Sequence, residues 1–548
     1  MVVTDVASRI LALRDPSGNL FVVMYLGLKF FALFCAASAS ALDVSLPLSA
    51  PSAAQELSQT LISFSLEQDR WPDWAGVDSR NEFTYSALKN LADITGIPPK
   101  IRVGANSEDH TVWSPTVTIS QASFPPPNTI TPYPEATSIV VGDGYYALSQ
   151  FMLPGTHMTW GVNFGLDNVT NAVNMAKSII KAFGSAAVKQ AQVTLDLMEV
   201  GNEADLYKNN GLRPSNWTVQ QYVNDWIAIS GPVAQAADLN PQGVTLQGAS
   251  FAGQGFKVSQ IIDLGILSSA PGKLITTISQ HRYSGAFCSG GDFPLISFMS
   301  KASVRSNLTL WKPDITTAHS LGLRYILGIA TSLSETGSIA CHGAPGVSNT
   351  AGAALWVIDY ALQAASLGIT ETFFHEGIGF KYNFFQPISL NRSTIDGSPL
   401  NPPQPARVQP SYYAAILVAT FIGNSGSTRI VELAVSDSNV SGYAAFENGV
   451  LKRAVFINLH AWLASSEGTG SRPSVQIGFN FTSNATIPQS AKAKRLEIQH
   501  ADDLQGLTFG GQSYETSNAQ PSGGVVEETV DLQQGIELSA TEAILIAF

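Results

Sequence analysis

Between about residue 60 and residue 423, short apolar runs alternate with stretches in which apolar residues recur every three or four positions. This is the pattern of parallel strands joined by crossover helices. Eight runs have strand character: LISFSLEQD (61–69), KIRVGANS (100–107), HMTWGVNF (157–164), TLDLMEVGNE (194–203), VTLQGASF (244–251), ITTISQHRYS (275–284), RYILGIA (324–330) and ETFFHEG (371–377). Helical patterns fall between them, including TYSALKNLADITG, NAVNMAKSIIKAFG, VQQYVNDWIAISGPVAQAAD, VSQIIDLGIL and NTAGAALWVIDYALQAASLG, and SYYAAILVATFIG closes the series. Eight repeats predict a (β/α)8 TIM barrel. An open doubly wound sheet is the alternative, but no glycine-rich phosphate loop follows the first strand. After about residue 424 the alternation shortens to every second residue, broken by Gly, Asn, Ser and Pro, which predicts a C-terminal antiparallel β-sandwich. The expected organisation is a signal peptide with an N-terminal extension (1–41), a strand segment that could join the sandwich (42–59), the barrel (60–423) and the sandwich (424–548).

Composition narrows the partners. A net charge of −12 with only 30 basic residues spread along 548 argues against a nucleic-acid or anionic-membrane surface, which needs clustered Lys and Arg. From Met24, the segment MYLGLKFFALFCAASASA combines one lysine, an apolar run Phe30 to Ala37 and the small-x-small end Ala39-Ser40-Ala41, the form of an export signal cleaved after Ala41. The apolar run is too short for a spanning helix of about 20 residues. If Cys35 leaves with that segment, Cys288 and Cys341 remain as an even pair expected to be joined outside the cell, with two buried thiols the alternative. Seven N-x-[ST] sequons, at Asn168, Asn216, Asn307, Asn391, Asn439, Asn480 and Asn484, agree with secretion and predict glycosylation.

The active site of a barrel lies at the C-terminal ends of its strands, and polar residues collect there: Glu67 with Asp69, Asn106 with Ser107, Asn163, Asn202 with Glu203, His281 with Tyr283, and His375 with Glu376. A glycosidase that retains configuration needs two carboxyl groups about 5 to 5.5 Å apart, one protonated and one ionised. Glu203 is the strand-4 candidate, because Asn202 beside it can hold a sugar hydroxyl. Glu199, Asp205, Asp69 and Glu376 lack that combination of Asn partner and strand-end position. No H-E-x-x-H or G-x-S-x-G motif is present, and no metal or cofactor is expected.

The segments SFSLEQDRWPDWAG, KIRVGANSEDHTVW, LMEVGNEADLY, SQHRYSG, SETGSIACHGAPGVSNTAGAALWVIDYALQAASLGI and FFHEGIGFKY, followed by the β-rich C-terminus, together resemble glycoside hydrolase family 79, the β-glucuronidase and heparanase-like group of clan A, and particularly its secreted fungal members. That resemblance implies an acid/base at Glu203 and a strand-7 nucleophile at Glu335. It also implies that Tyr283 hydrogen-bonds the nucleophile, that Glu67 receives sugar hydroxyls, and that Tyr382 meets the substrate carboxylate. Arg102 would favour an ionised Glu335 or form a structural ion pair with another carboxylate, and Asn106 joins the substrate-binding set. A Cys288–Cys341 bridge would tie the strand-6 and strand-7 loops beside the site. The chain departs from the family pattern at strand 7, where Gly is followed at once by Glu-Thr-Asn-Ser: here IATSLS intervenes between Gly328 and Glu335, and Gly337 replaces the Asn. A tolerated bulge delivers Glu335 to the mouth; an altered strand end displaces it and leaves a loop glutamate.

The expected function is a secreted retaining exo-β-glucuronidase releasing terminal glucuronic or 4-O-methylglucuronic acid, with a carbohydrate as its partner. Another clan A retaining glycosidase, such as a heparanase-like endo-glucuronidase, and a catalytically impaired carbohydrate-binding cell-wall protein are the alternatives.

Overall fold

A computed structural model of the chain describes residues 9–14, 20–25, 42–328, 337–467, 470–482 and 487–548. Two compact units result, Met1–Ser40 and Ala41–Phe548. In the first, Arg9–Arg14 and Leu20–Tyr25 form an antiparallel hairpin. The apolar run Phe30 to Ala37, Cys35 and the cleavage motif lie outside the described residues. Among the described residues no helix is long and apolar enough to cross a membrane.

The second unit is built on eight parallel strands: β1 (Ile62–Glu67), β2 (Ile101–Gly104), β3 (His157–Val162), β4 (Thr194–Val200), β5 (Thr245–Phe251), β6 (Ile275–His281), β7 (Arg324–Gly328) and β8 (Thr372–Glu376). Each pairs with its sequence neighbours and β1 pairs with both β2 and β8, so the sheet closes into a barrel and the doubly wound alternative is excluded. In β1, β5 and β8 every residue is buried, because one face looks into the barrel and the other meets a helix.

Helix ends follow local chemistry. Asn81 accepts from the N–H groups of Phe83 and Thr84 to start Glu82–Thr95, and Gly96 ends it at φ 85°. Thr218 and Gln221 form a capping box on Val219–Ala236. Two helices between β6 and β7, Lys301–Thr309 and Lys312–Ser320, carry few apolar residues, which explains why their periodicity is faint in the sequence.

The C-terminal region is a two-sheet sandwich. Its larger sheet has eight strands, and its smaller one joins Ile536–Ser539, Ser474–Thr482 and Leu42–Pro47. The sandwich pairs are antiparallel except that Leu42–Pro47 runs parallel to Ser474–Thr482. Of the sequon asparagines, Asn168, Asn216, Asn391 and Asn480 are exposed, Asn307 and Asn439 are half-buried, and Asn484 lies outside the described residues. The Asn307 amide is occupied: its oxygen accepts from Arg282 Nη2 at 2.8 Å and its nitrogen donates to Ser284 Oγ at 3.2 Å.

Barrel and sandwich meet at a polar knot. Arg305 donates to Asp359, to Glu432 Oε1 at 2.7 Å and to the Tyr443 hydroxyl at 2.8 Å, and Tyr443 donates to Asp359 Oδ1 at 2.7 Å. Asp359 is fully buried, so losing Arg305 strands a charge. Arg305→Met is expected to cost about 3–5 kcal/mol, whereas Glu432→Gln, at the more exposed end, costs about 1 kcal/mol or less. Equilibrium urea unfolding of both variants checks this; equal losses would contradict it.

Candidate active site

Arg102 on β2 draws together Ser65, Glu199 and Asn202 from β1, β4 and the turn after β4. This buried guanidinium binds Glu199 through two bonds, Nε to Oε2 at 2.6 Å and Nη2 to Oε1 at 2.8 Å. It also donates to Ser65 Oγ at 2.9 Å and to Asn202 Oδ1 at 2.8 Å. The pairing with Glu199 is the carboxylate ion pair that the sequence left as one of two options for Arg102.

Strand β4 ends at Val200, earlier than the sequence pattern suggests, and Gly201, Asn202 and Glu203 form a tight turn. Gly201 sits at φ 85°, where a side chain would strike Phe164: an added Cβ would stand 2.5 Å from the Phe164 Cβ. Glu203 itself is left-handed at φ 53°, and its N–H donates to the Ser250 carbonyl at 2.9 Å. Its carboxyl is buried, with Oε1 3.4 Å from His281 Nδ1. Burial, then the charge of Arg102 and the proximity of His375, holds the His281 pKa well below its ordinary value, so this imidazole is neutral. His375 is depressed for the same leading reason, and its Nδ1 lies 3.1 Å from the Ser65 carbonyl.

At the end of β1, Glu67 accepts from the N–H groups of Asn106 at 3.0 Å and Ser107 at 3.3 Å and from the Ser107 hydroxyl. Burial, reinforced by the neighbouring carboxylates Asp69 and Glu135, raises the Glu67 pKa well above the usual range despite those donors. Asp69, which accepts from the Ala136 N–H at 2.8 Å, is pushed up to about 7, mainly by burial. Asn106 is half-buried on the loop after β2.

Across the mouth, Tyr283 and Tyr382 are buried and their rings lie 5.6 Å apart, with His375 6.0 Å from Tyr382. The loops after β6 and β7 are zipped together. Gly328 pairs with His281 in the barrel, Gly337 with Tyr283 and Ala340 with Ala286 beyond it, and Cys288–Cys341 closes the ladder as a disulfide with Cα atoms 5.1 Å apart. Between the first two pairs β6 advances 2 residues while the other chain advances 9. Residues 329–336, with the IATSLS segment and Glu335, lie outside the described residues. Gly337 has a physical reason to be glycine where the family pattern has Asn, since an added Cβ would come 2.5 Å from Tyr283 Cε1.

Comparison with known proteins places this geometry. Residues 442–545 match the model of the glycosyl hydrolase family 79 C-terminal beta domain. A β-glucuronidase of Aspergillus niger is 30% identical over 482 residues, covering 84% of this chain and 83% of that one. The chain belongs to glycoside hydrolase family 79. A β-glucuronidase of Neurospora crassa is 28% identical over 517 residues, covering 87% and 88% of the two chains. The fold also matches the crystal structure of a 4-O-α-L-rhamnosyl-β-D-glucuronidase from Fusarium oxysporum, with a TM-score of 0.74 and 20% identity over 92% of this chain and 100% of that one. The family 79 chain described here is a glycoside hydrolase, and a carbohydrate is its substrate.

Three elements of the site were not singled out from the sequence. His281 was seen only as a strand-end polar residue, and Asp109 is one of two consecutive acids in SEDH that pattern alone does not rank. Lys381 is fully buried, donates to the Ile130 carbonyl at 3.2 Å, and has its pKa pulled down to about 8 by burial.

Two outcomes follow from this geometry. Folded Asp69 keeps its proton to about pH 7, whereas an unfolded aspartate releases it near about 3.9. Between those values the folded state binds more protons, so stability falls as pH rises from about 4 to about 7. Wild type should therefore lose ground to Asp69→Asn across that window, by at most about 1.4 kcal/mol per pH unit, in urea titrations; a pH-independent difference would contradict the assignment. Gly337→Ala should displace the Tyr283 ring and lower kcat/KM by about ten-fold or more while the protein stays folded, since small displacements in an active site are costly. Unchanged kcat/KM would show that the ring position is not needed.

Proposed function

We propose that this chain is a secreted, glycosylated retaining exo-β-glucuronidase, acting on terminal glucuronic or 4-O-methylglucuronic acid. The observation that carries the reading is the buried Glu203 carboxyl on the strained turn ending β4, in a family whose two relatives named above are β-glucuronidases. The disulfide and the exposed sequon asparagines support secretion.

The reaction runs by double displacement. Glu335 attacks C1 of the glucuronosyl unit while Glu203 gives its proton to the departing oxygen, and Glu203 then takes a proton from water as the covalent ester is hydrolysed. A neutral His281 fits this cycle, because it places no fixed positive charge against a carboxyl that must both release and accept a proton. Tyr283 donates to the nucleophile, Glu67 and Asn106 receive sugar hydroxyls, and Tyr382 meets the substrate carboxylate. The Lys381 ammonium adds positive charge in the loop that carries Tyr382.

Glu203→Ala and Glu335→Ala should each lower release from an aryl β-glucuronide by about 10²-fold or more. Azide should restore turnover in Glu203→Ala with formation of the β-glucuronosyl azide. Full activity in Glu335→Ala would place the nucleophile elsewhere, and an aryl β-glucoside cleaved as well as the glucuronide would overturn the sugar assignment.

A further inference from the structure

Asp109 lies in the helical turn Asn106–His110 after β2 and is buried. Its carboxylate collects four donors. Oδ1 accepts the backbone N–H groups of Phe164 at 3.0 Å and Gly165 at 2.8 Å, just past β3. Oδ2 accepts the Tyr207 hydroxyl at 2.6 Å and the N–H of Asn202 at 3.3 Å. One side chain on the β2 loop thus holds the ends of β3 and β4 and the segment that follows Glu203.

The turn it holds is not one the chain adopts freely. A left-handed non-glycine residue is strained and persists only where its surroundings over-determine it. Glu203 is such a residue, at φ 53°. Its own N–H is tied to Ser250, the side chain of Asn202 is tied to Arg102, and the Asn202 N–H is tied to Asp109. Removing that acceptor leaves the Gly201–Asn202 peptide, one residue before Glu203, without its anchor and a buried N–H without a partner.

We propose that Asp109 is a positioning residue for proton transfer: by fixing the Asn202–Glu203 turn it aims the Glu203 carboxyl at the leaving-group oxygen. This rests on Glu203 being the acid/base. A misaimed general acid harms a substrate in proportion to the proton its leaving group needs. A dinitrophenolate departs almost unaided, whereas phenoxide and methoxide need the proton. A carboxylate that only stiffens the fold would affect all of them alike.

The test is kcat/KM of the full chain for dinitrophenyl, phenyl and methyl β-glucuronides, with wild type, Asp109→Asn, Tyr207→Phe and Glu203→Gln. Glu203→Gln should show a loss that steepens from dinitrophenyl to methyl. Asp109→Asn is expected to show the same slope, with a loss about ten-fold greater for phenyl than for dinitrophenyl. Tyr207→Phe removes one donor from the same carboxylate, keeps the fold if Asp109→Asn does not, and should slope in the same direction. Uniform losses in Asp109→Asn and Tyr207→Phe beside a steep Glu203→Gln would overturn the positioning role and leave the acid/base reading standing. A flat Glu203→Gln would overturn both.

Discussion

A guanidinium sealed inside a barrel is tolerable only when charge and donors are both satisfied, because desolvation of an unpaired ion outweighs most other terms. Arg102 meets that condition through its two-bond contact with Glu199 and its bonds to Ser65 and Asn202. The groups involved come from β1, β2, β4 and the turn after β4, so the polar layer beneath the mouth is fixed in register by one cation. The same charge contributes to holding His281 and His375 neutral. The burial that keeps these two imidazoles neutral also raises the pKa of Glu67 at the end of β1.

Beyond the barrel rim, the loops after β6 and β7 are held by a different device. The ends of β6 and β7 continue as a ladder past the barrel and are locked by Cys288–Cys341. Gly337 bridges Tyr283 within that ladder, with no room for a Cβ against the ring. The extra residues before Glu335 are therefore bounded by fixed points on both sides, Gly328 and Gly337.

How much of this the sequence disclosed depends on the range of each interaction. Eight buried strands were legible because continuous apolar runs of that length have few other uses, and the sandwich because its strands alternate. Helices Lys301–Thr309 and Lys312–Ser320 were not, since their apolar residues are too sparse to show a face. Glu203 was legible as an Asn-Glu pair after a strand, but its left-handed conformation was not, because the reason for it lies in Ser250 on β5 and Asp109 after β2. The pairing of Arg102 with Glu199 was not legible for the same cause: it requires the register of β2 against β4 across β3, and no local pattern encodes that. The cysteine pair needed only counting.

Double displacement requires one particular carboxylate to become glycosylated. A 2-deoxy-2-fluoro-β-glucuronosyl fluoride should trap the covalent ester, and peptide mapping by mass spectrometry of the inactivated protein should find one label, on Glu335. A label on any other carboxylate, or time-dependent inactivation that leaves no covalent sugar, would contradict the double displacement proposed for this site.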